Sequence, residues 1–324
     1  MTGLNRREFI RRSVKAGLVS ASALGAGWWL HTADPPALEP STAALSGIPG
    51  FSKKPDGGPA MAIARGTDRV AMVRRTLGAL GGMNRFVRPG DRVVIKVNAA
   101  FASPPAISAT SHPDIVTAMV KACREAEAAD VVVTDNPIND PASCFRLTGI
   151  GPAAEAAGGR VVLPTADRFA AVTLAGARLI RDWPVLVGPL AKADCLIGLA
   201  PLKDHHRSGA SMTIKNWYGL LGGRRNVFHQ DIHTIIAELA ALVRPTLVIL
   251  DAVSAMLHNG PTGGSLSDLA ATNTLVAGID PVAVDAAGAG ILGRPLDQLP
   301  HLQQAADAGL GTLDYRTLNP VDVP

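Results

Sequence analysis

The chain has 324 residues, 47% hydrophobic and 18% charged, with 31 Lys and Arg against 27 Asp and Glu for a net charge of +4. That apolar content supports a sizeable core and excludes wholesale disorder, and the length allows one large domain or two small ones. The charge excess is local: residues 1–33 hold Arg6, Arg7, Arg11, Arg12 and Lys15 against Glu8 alone, which leaves 26 basic and 26 acidic side chains over the remainder. With 13 aromatics in the whole chain and no basic stripe in that neutral body, nucleic-acid binding is disfavoured.

The N-terminus reads as an address. Asn5-Arg6-Arg7-Glu8-Phe9-Ile10-Arg11 resembles the twin-arginine export signal, and Ala16–Leu30 follows as fifteen uncharged residues rich in Ala, Gly, Leu and Trp. A membrane span takes about 20 residues, so the stretch fits a signal h-region better. Ala33 is the nearest small-residue cleavage position, but bulky His31 stands two places before it. Residues 1–33 are therefore read as a twin-arginine signal or a retained membrane anchor, and 34–59, rich in Pro, Gly and Ser, as a linker. The resemblance implies a periplasmic or otherwise extracytoplasmic protein, the twin-arginine translocase as a partner, and a raised expectation of a metal or redox group. Cys123, Cys144 and Cys195 contain no C-x-x-C pair, so no iron–sulfur cluster bound by the chain's own cysteines is expected.

From residue 60 onward, β-branched runs alternate with helical patterns. Strands are predicted at Ala60–Ala64, Arg92–Asn98, Val131–Asp135, Arg160–Leu163, Asp194–Ala200, Thr246–Asp251 and Thr274–Ile279. Helices are predicted at Asp68–Met83, Pro113–Ala129, Ile232–Val243 and Pro281–Leu292. Apolar strands of five to seven residues between helices predict a single α/β domain over 60–324, with a mostly parallel, doubly wound sheet and helices on both faces. Ligands of such sheets sit outside the carboxyl ends of the strands. Asn98, Asp135, Asp251 and the run Lys203-Asp204-His205-His206-Arg207 all fall at predicted strand ends. Ordinary caps and turns account equally for Asp and Asn there, and for Asp135 before Asn136-Pro137 a turn is the simpler reading.

Lys203–Arg207 reads as a rim loop, either solvated or part of a site. Lys215, between Ile214 and Asn216-Trp217, has an apolar setting that would lower its pKa and suit it to acid–base work or anion binding; a snorkelling lysine at a helix end is the alternative. His229 and His233 have i, i+4 spacing, which on one helix sets both rings toward a single metal ion, with His205 and Asp251 among the further ligands. If Asp231 caps that helix instead, His229 falls outside it and the geometry fails. Gly260 and Gly263, in Asn259–Gly264, read as an anion cradle or as a flexible loop. Asp280-Pro281 fits a helix start, and Asp285, one turn in among Ala and Gly, reads as a buried paired carboxylate or a base aimed at the pocket.

The order of these short motifs resembles the family called domain of unknown function 362: Val94-Ile95-Lys96-Val97-Asn98, Ser111-His112-Pro113, Lys203-Asp204-His205, Lys215-Asn216-Trp217-Tyr218-Gly219, His229, Asp251, Gly260-Pro261 with Gly263, and Asp280–Asp285. The resemblance covers roughly residues 90–295. Many members carry ferredoxin-type cysteines, which this chain lacks. Taken together, the expectation is an enzyme acting on a small anionic substrate. Lys203, Lys215 and Asp285 would be catalytic. Lys96, Asn98, Asn216, Gly260 and Gly263 would bind the anion, and His205, His229, His233 and Asp251 would hold a divalent metal. The alternative is a non-catalytic cofactor- or anion-binding protein, or a maturation partner of a redox complex.

Overall fold

The computed structural model describes residues 48–52 and 57–324, together with Arg7 and Lys15. The expected signal lies outside the described residues, apart from those two positions. Among the described residues no helix is long and apolar enough to cross a membrane.

The elements follow in chain order. β1 (Met61–Arg65), α1 (Arg69–Ala79), β2 (Arg92–Lys96), α2 (Pro113–Glu125) and β3 (Asp130–Thr134) come first. They lead to α3 (Pro141–Leu147), α4 (Ile150–Ala156), β4 (Arg160–Val162), β5 (Phe169–Val172) and β6 (Trp183–Leu186). After these come β7 (Cys195–His205), β8 (Gly209–Ser211), α5 (Thr213–Asn216), α6 (Ile232–Leu242), β9 (Leu247–Met256) and β10 (Leu269–Gly278). The chain closes with α7 (Pro281–Ile291), α8 (Pro300–Asp307) and β11 (Val321–Val323). The main sheet has the order β11-β1-β10-β9-β7-β2-β3-β4, and β8 pairs with the far end of β7. β4, β3, β2, β7 and β9 run parallel. β10 is antiparallel to both of its neighbours. β5 and β6 form a separate two-stranded ribbon.

Two apolar cores sandwich the sheet, as the uninterrupted apolar strands require. Strand side chains alternate between faces. Val93, Ile95, Ile197, Leu199 and Ile249 thus meet Met72 and Leu77 of α1 and Ile115, Val116 and Met119 of α2. Val94, Leu196, Ala200, Val248 and Leu250 meet Ile235, Ile236 and Leu239 of α6, Val284 and Ala287 of α7, and Leu302 of α8. Helix starts follow their sequence cues. His112 and Asp280 cap α2 and α7 through their side chains, each with Pro at the first turn. Cys123, Cys144 and Cys195 are all buried.

Two local expectations are corrected, and one connection is reported with them. The segment Lys203–His205 is strand and not loop: β7 runs on past the sheet, and Lys203 and His205 pair with Ser211 and Gly209 of β8. Polar composition hid this extension, although Lys203 and His205 are as buried as the apolar strand before them. Similarly, Asp251 lies in the middle of β9, opposite Leu275, and not at a strand end. The β9–β10 connection is a hairpin and not a crossover, so β10 turns against the parallel set.

Candidate functional site

Lys96, at the carboxyl end of β2, is 1% exposed. Its Nζ reaches Asp135 Oδ1 at 2.7 Å, the Asn216 carbonyl at 2.5 Å and Asn216 Oδ1 at 2.8 Å. Burial lowers the lysine's pKa and Asp135 raises it again. Asp135 also accepts from the Ala99 and Asn136 amides. Asn216 completes its set by donating Nδ2 to the Leu199 carbonyl at 3.0 Å. An ammonium has three donors, and all three of these are held by protein. Lys96 and Asn216 therefore position the rim and do not present free donors to an anion. Gly219 permits the arrangement: a Cβ there would stand 2.1 Å from Asp135 Oδ1 and 2.5 Å from Lys96 Nζ. Asn98 donates Nδ2 to Asn216 Oδ1 at 3.2 Å, while its own Oδ1 is buried with no hydrogen-bond partner among the described residues.

A second group of cations has a different character. Lys203 is 1% exposed and donates to the Ala109 carbonyl at 2.6 Å, with its Nζ 5.4 Å from the Phe101 ring centre. Lys215, on the short helix α5, lies 5.3 Å over the Tyr218 ring. Among the described residues no acceptor or carboxylate pairs with its ammonium. Burial brings both lysines down to about 7; Lys215 is the next influence on Lys203, and Arg225 the next on Lys215. Arg225 is clamped by the carbonyls of Leu221, Asn136 and Pro137 at 2.8–3.1 Å, and Asp135 partly offsets its charge.

Three imidazoles stack beside these cations. His205 lies 5.2 Å from His206 and 6.2 Å from His229, centre to centre, with rings within 14° of parallel. His205 Nδ1 accepts from the Arg207 and Ser208 amides at 3.2 Å, so its proton sits on Nε2. Burial, then Lys215 and Lys203, push His205 down to about 2, so the ring is neutral. His229 Nδ1 donates to the Asn226 carbonyl at 3.1 Å and His206 Nδ1 to the Gly260 carbonyl at 3.3 Å. A carbonyl only accepts, so both of these rings keep a basic Nε2. Tyr218, pushed up to about 12 by burial, meets His229 edge-on at 5.4 Å and donates its hydroxyl to the Arg225 carbonyl. His206 is exposed and His229 half-buried, so the cluster opens at this side.

The remaining expected site residues are placed elsewhere. Asp231 is the N-cap position of α6, and His229 sits in a preceding 3-10 turn, so His229 and His233 do not share an α-helix. His233 instead pairs with His301 of α8, Nδ1 to Nδ1 at 3.0 Å, and burial brings His301 down to about 3. Asp251 is bound to Arg69 at 2.9 Å and to the Val253 amide. His205 has its Nδ1 lone pair occupied and its Nε2 protonated, so it lacks a free lone pair for a metal. Among the described residues no group of three or more His, Cys, Asp or Glu is placed to hold a metal ion. The donor set does not fit the divalent metal expected from the spacing.

The glycine loop also departs from expectation. The Gly260 amide donates to Asp204 Oδ2 and the Gly263 amide to the Asn259 carbonyl, so neither is free for an anion. Gly260 is needed for contact, since a Cβ there would lie 1.8 Å from the Asp204 carbonyl. Asp204 in turn binds Arg294 at 2.7 Å. Asp285 is 1% exposed and accepts from the Thr213 amide, the Thr213 hydroxyl and the Ile214 amide at 2.6–3.0 Å. Burial pushes it up to about 7 against the pull of those donors. It anchors the first turn of α5 and thereby sets Lys215, which is a positioning role.

His301 is absent from the sequence reading, while Tyr218 enters it only within the family motif and Arg225 only as half of an arginine pair better explained by a small anionic ligand than by nucleic acid. Tyr218 lies three residues from Lys215, one helical turn away, and that spacing is the signal that would have found it. His301 carries no such local cue.

The site thus belongs to an α/β domain with a cationic, imidazole-lined cluster at the strand ends. The model of the family described as domain of unknown function (DUF362) matches residues 93–290, and the chain belongs to that family. A thylakoid-associated protein from Synechocystis sp. is 27% identical over 205 residues, covering 60% of this chain and 62% of the relative. The chain therefore spans about three-fifths of that relative's length. Among solved structures, the lactate racemase apoprotein from Thermoanaerobacterium thermosaccharolyticum aligns with a TM-score of 0.41 and 14% identity, over 76% of this chain and 61% of that one. A protein from Thermotoga maritima aligns with a TM-score of 0.37 and 9% identity, over 75% and 60%. Likeness at these scores carries no argument about activity.

Proposed function

We propose that the chain is an enzyme that holds a small anionic substrate at the end of β7 and moves protons on it through imidazole. One observation carries this reading: Lys215 stands among Lys203, Arg225, His205, His229 and His301, and among the described residues its ammonium has no acceptor. Clustered cations without a counter-ion destabilise a fold, and an incoming carboxylate or phosphate supplies both the missing charge and the missing acceptor. The basic Nε2 atoms of His229 and His206 lie at the open side, where a proton acceptor is useful. Asn98 Oδ1 offers a buried acceptor for a ligand hydroxyl.

Calorimetric titration with phosphate, lactate and pyruvate tests the reading. Binding at pH 6.5 should weaken at least tenfold in Lys203→Met and in Lys215→Met. Absence of binding to all three ligands, or binding indifferent to both variants, refutes it. The N-terminal motif supports export by the twin-arginine route to an extracytoplasmic compartment. Arg6→Lys with Arg7→Lys should abolish export, and continued export of that variant refutes the assignment.

A further inference from the structure

We propose that Lys215 is a nucleophile that forms an imine with the carbonyl carbon of a small 2-oxo acid whose carboxylate is held by Lys203. This deepens the anionic-substrate reading and rests on it. The two lysines are in different settings. Lys203 Nζ is tied to the Ala109 carbonyl, a contact that orients it as a donor. Lys215 Nζ faces the Tyr218 ring and, among the described residues, has no hydrogen-bond acceptor to tie up its nitrogen. Its backbone is nevertheless fixed: Asp285 binds the first two residues of α5, Asn216 is locked to Lys96 and Leu199, and Trp217 is fully buried. A rigid stem carrying an uncommitted amine in a desolvated, cation-rich setting is what imine chemistry requires. Burial, and after it Arg225 and Lys96, bring that amine down to about 7, so a large share of it is neutral near pH 7.

The step balances without a redox partner. The Lys215 nitrogen lone pair attacks the carbonyl carbon, a C–N bond forms, and the π electrons move to oxygen. The nitrogen loses a proton and the oxygen gains one, with His229 Nε2 as carrier, giving a carbinolamine. A second proton delivered to that oxygen lets the C–O bond break, water leaves, and a protonated imine remains. The positive nitrogen then acidifies the adjacent carbon, and the imidazoles at the open side are placed to take up that proton.

The test is reductive trapping on the full chain at pH 7 with pyruvate or glyoxylate and cyanoborohydride, followed by peptide mapping. Lys121 and Lys192, both exposed, serve as internal comparators. An ordinary lysine near 10.4 is almost wholly protonated at pH 7, so Lys215 should be alkylated at least about tenfold faster than either. Added lactate, which has no ketone or aldehyde carbonyl, should slow labelling of Lys215 alone. Labelling of Lys215 no faster than of Lys121 and Lys192 with both oxo acids overturns the proposal. If calorimetric anion binding persists in that case, only the imine step fails. If anion binding is also absent, the substrate reading fails with it. The decisive readout is on the unaltered protein, so it does not depend on a variant folding; Lys215→Arg, which keeps the charge, should lose the label at that position.

Discussion

Replacing Lys203 by Met keeps an unbranched side chain one atom shorter and removes a cation from a position 1% exposed. The lysine's fall from 10.5 to about 7 reflects burial first and Lys215 second. Converted at about 1.4 kcal/mol per pKa step, it sets a ceiling of about 5 kcal/mol on the cost of keeping the charged form folded. The bond to the Ala109 carbonyl offsets about 1–2 kcal/mol of this, and losing that bond leaves a carbonyl unpaired. At pH 6 the native lysine is charged in both folded and unfolded states and the full cost applies. Above pH 7 the folded state has released its proton while the unfolded chain still holds one, so wild-type stability rises with pH up to about 10.5. By pH 9 the cost has fallen to about 2 kcal/mol. Lys203→Met should therefore be more stable than wild type at pH 6 by a few kcal/mol, and that advantage should shrink by about 3 kcal/mol at pH 9. Urea denaturation at the two pH values, followed by far-UV circular dichroism, measures both quantities. A variant less stable than wild type at pH 6, or an advantage independent of pH, refutes the account of Lys203 as a strained cation awaiting an anion.

Other expectations concern the supports of the site. Asp285→Ala leaves the Thr213 and Ile214 amides without their acceptor and should cost about 2–4 kcal/mol in denaturant unfolding; a loss within 0.5 kcal/mol would deny the carboxylate its anchoring role. Gly219→Ala forces a methyl into the Lys96–Asp135 pair and should cost about 3–5 kcal/mol, whereas wild-type melting behaviour in that variant would mean the pair can move aside. Anion affinity should fall as pH rises above 7, because Lys203 and Lys215 must take up protons to receive the charge. Calorimetry in buffers of different ionisation enthalpy should accordingly register proton uptake at pH 8, and uptake of none would place the anion elsewhere.

Much of the fold was legible because the strands are buried on both faces. Val93, Val94 and Ile95 could not serve two cores without being apolar in succession, and Asp280-Pro281 could start α7 from local chemistry alone. Legibility failed where tertiary contacts replaced local pattern. Lys203 and His205 are strand residues by virtue of pairing with β8, a contact their own composition does not announce. The β5–β6 ribbon, α3, α4, α8 and β11 were not predicted, being short elements whose periodicity covers only one or two turns or a few residues. Site residues were recognised by type but not by partner. Lys96 and Lys203 look alike in sequence, yet one is hydrogen-bonded to Asp135 and the other reaches only the Ala109 carbonyl. The His229–His233 spacing suggested a metal because it assumed one helix, and the cap at Asp231 separates the two rings. His301 reaches His233 from 68 residues away, beyond any local cue.

The Lys96–Asp135–Asn216–Gly219 cluster has a consequence for how this sequence can drift. The ammonium needs Asp135 for charge and Asn216 for its remaining bonds, and the pair needs the missing Cβ at position 219. Losing Asp135 alone would strip the buried ammonium of its carboxylate; losing Lys96 alone would leave Asp135 with its two amide donors but no ammonium; acquiring any side chain at 219 would part them. The four positions therefore constitute one inherited character spread over 124 residues of chain. Viable descendants should exchange them in concert, with an apolar pair at 96 and 135 accompanied by freedom to vary at 216 and 219.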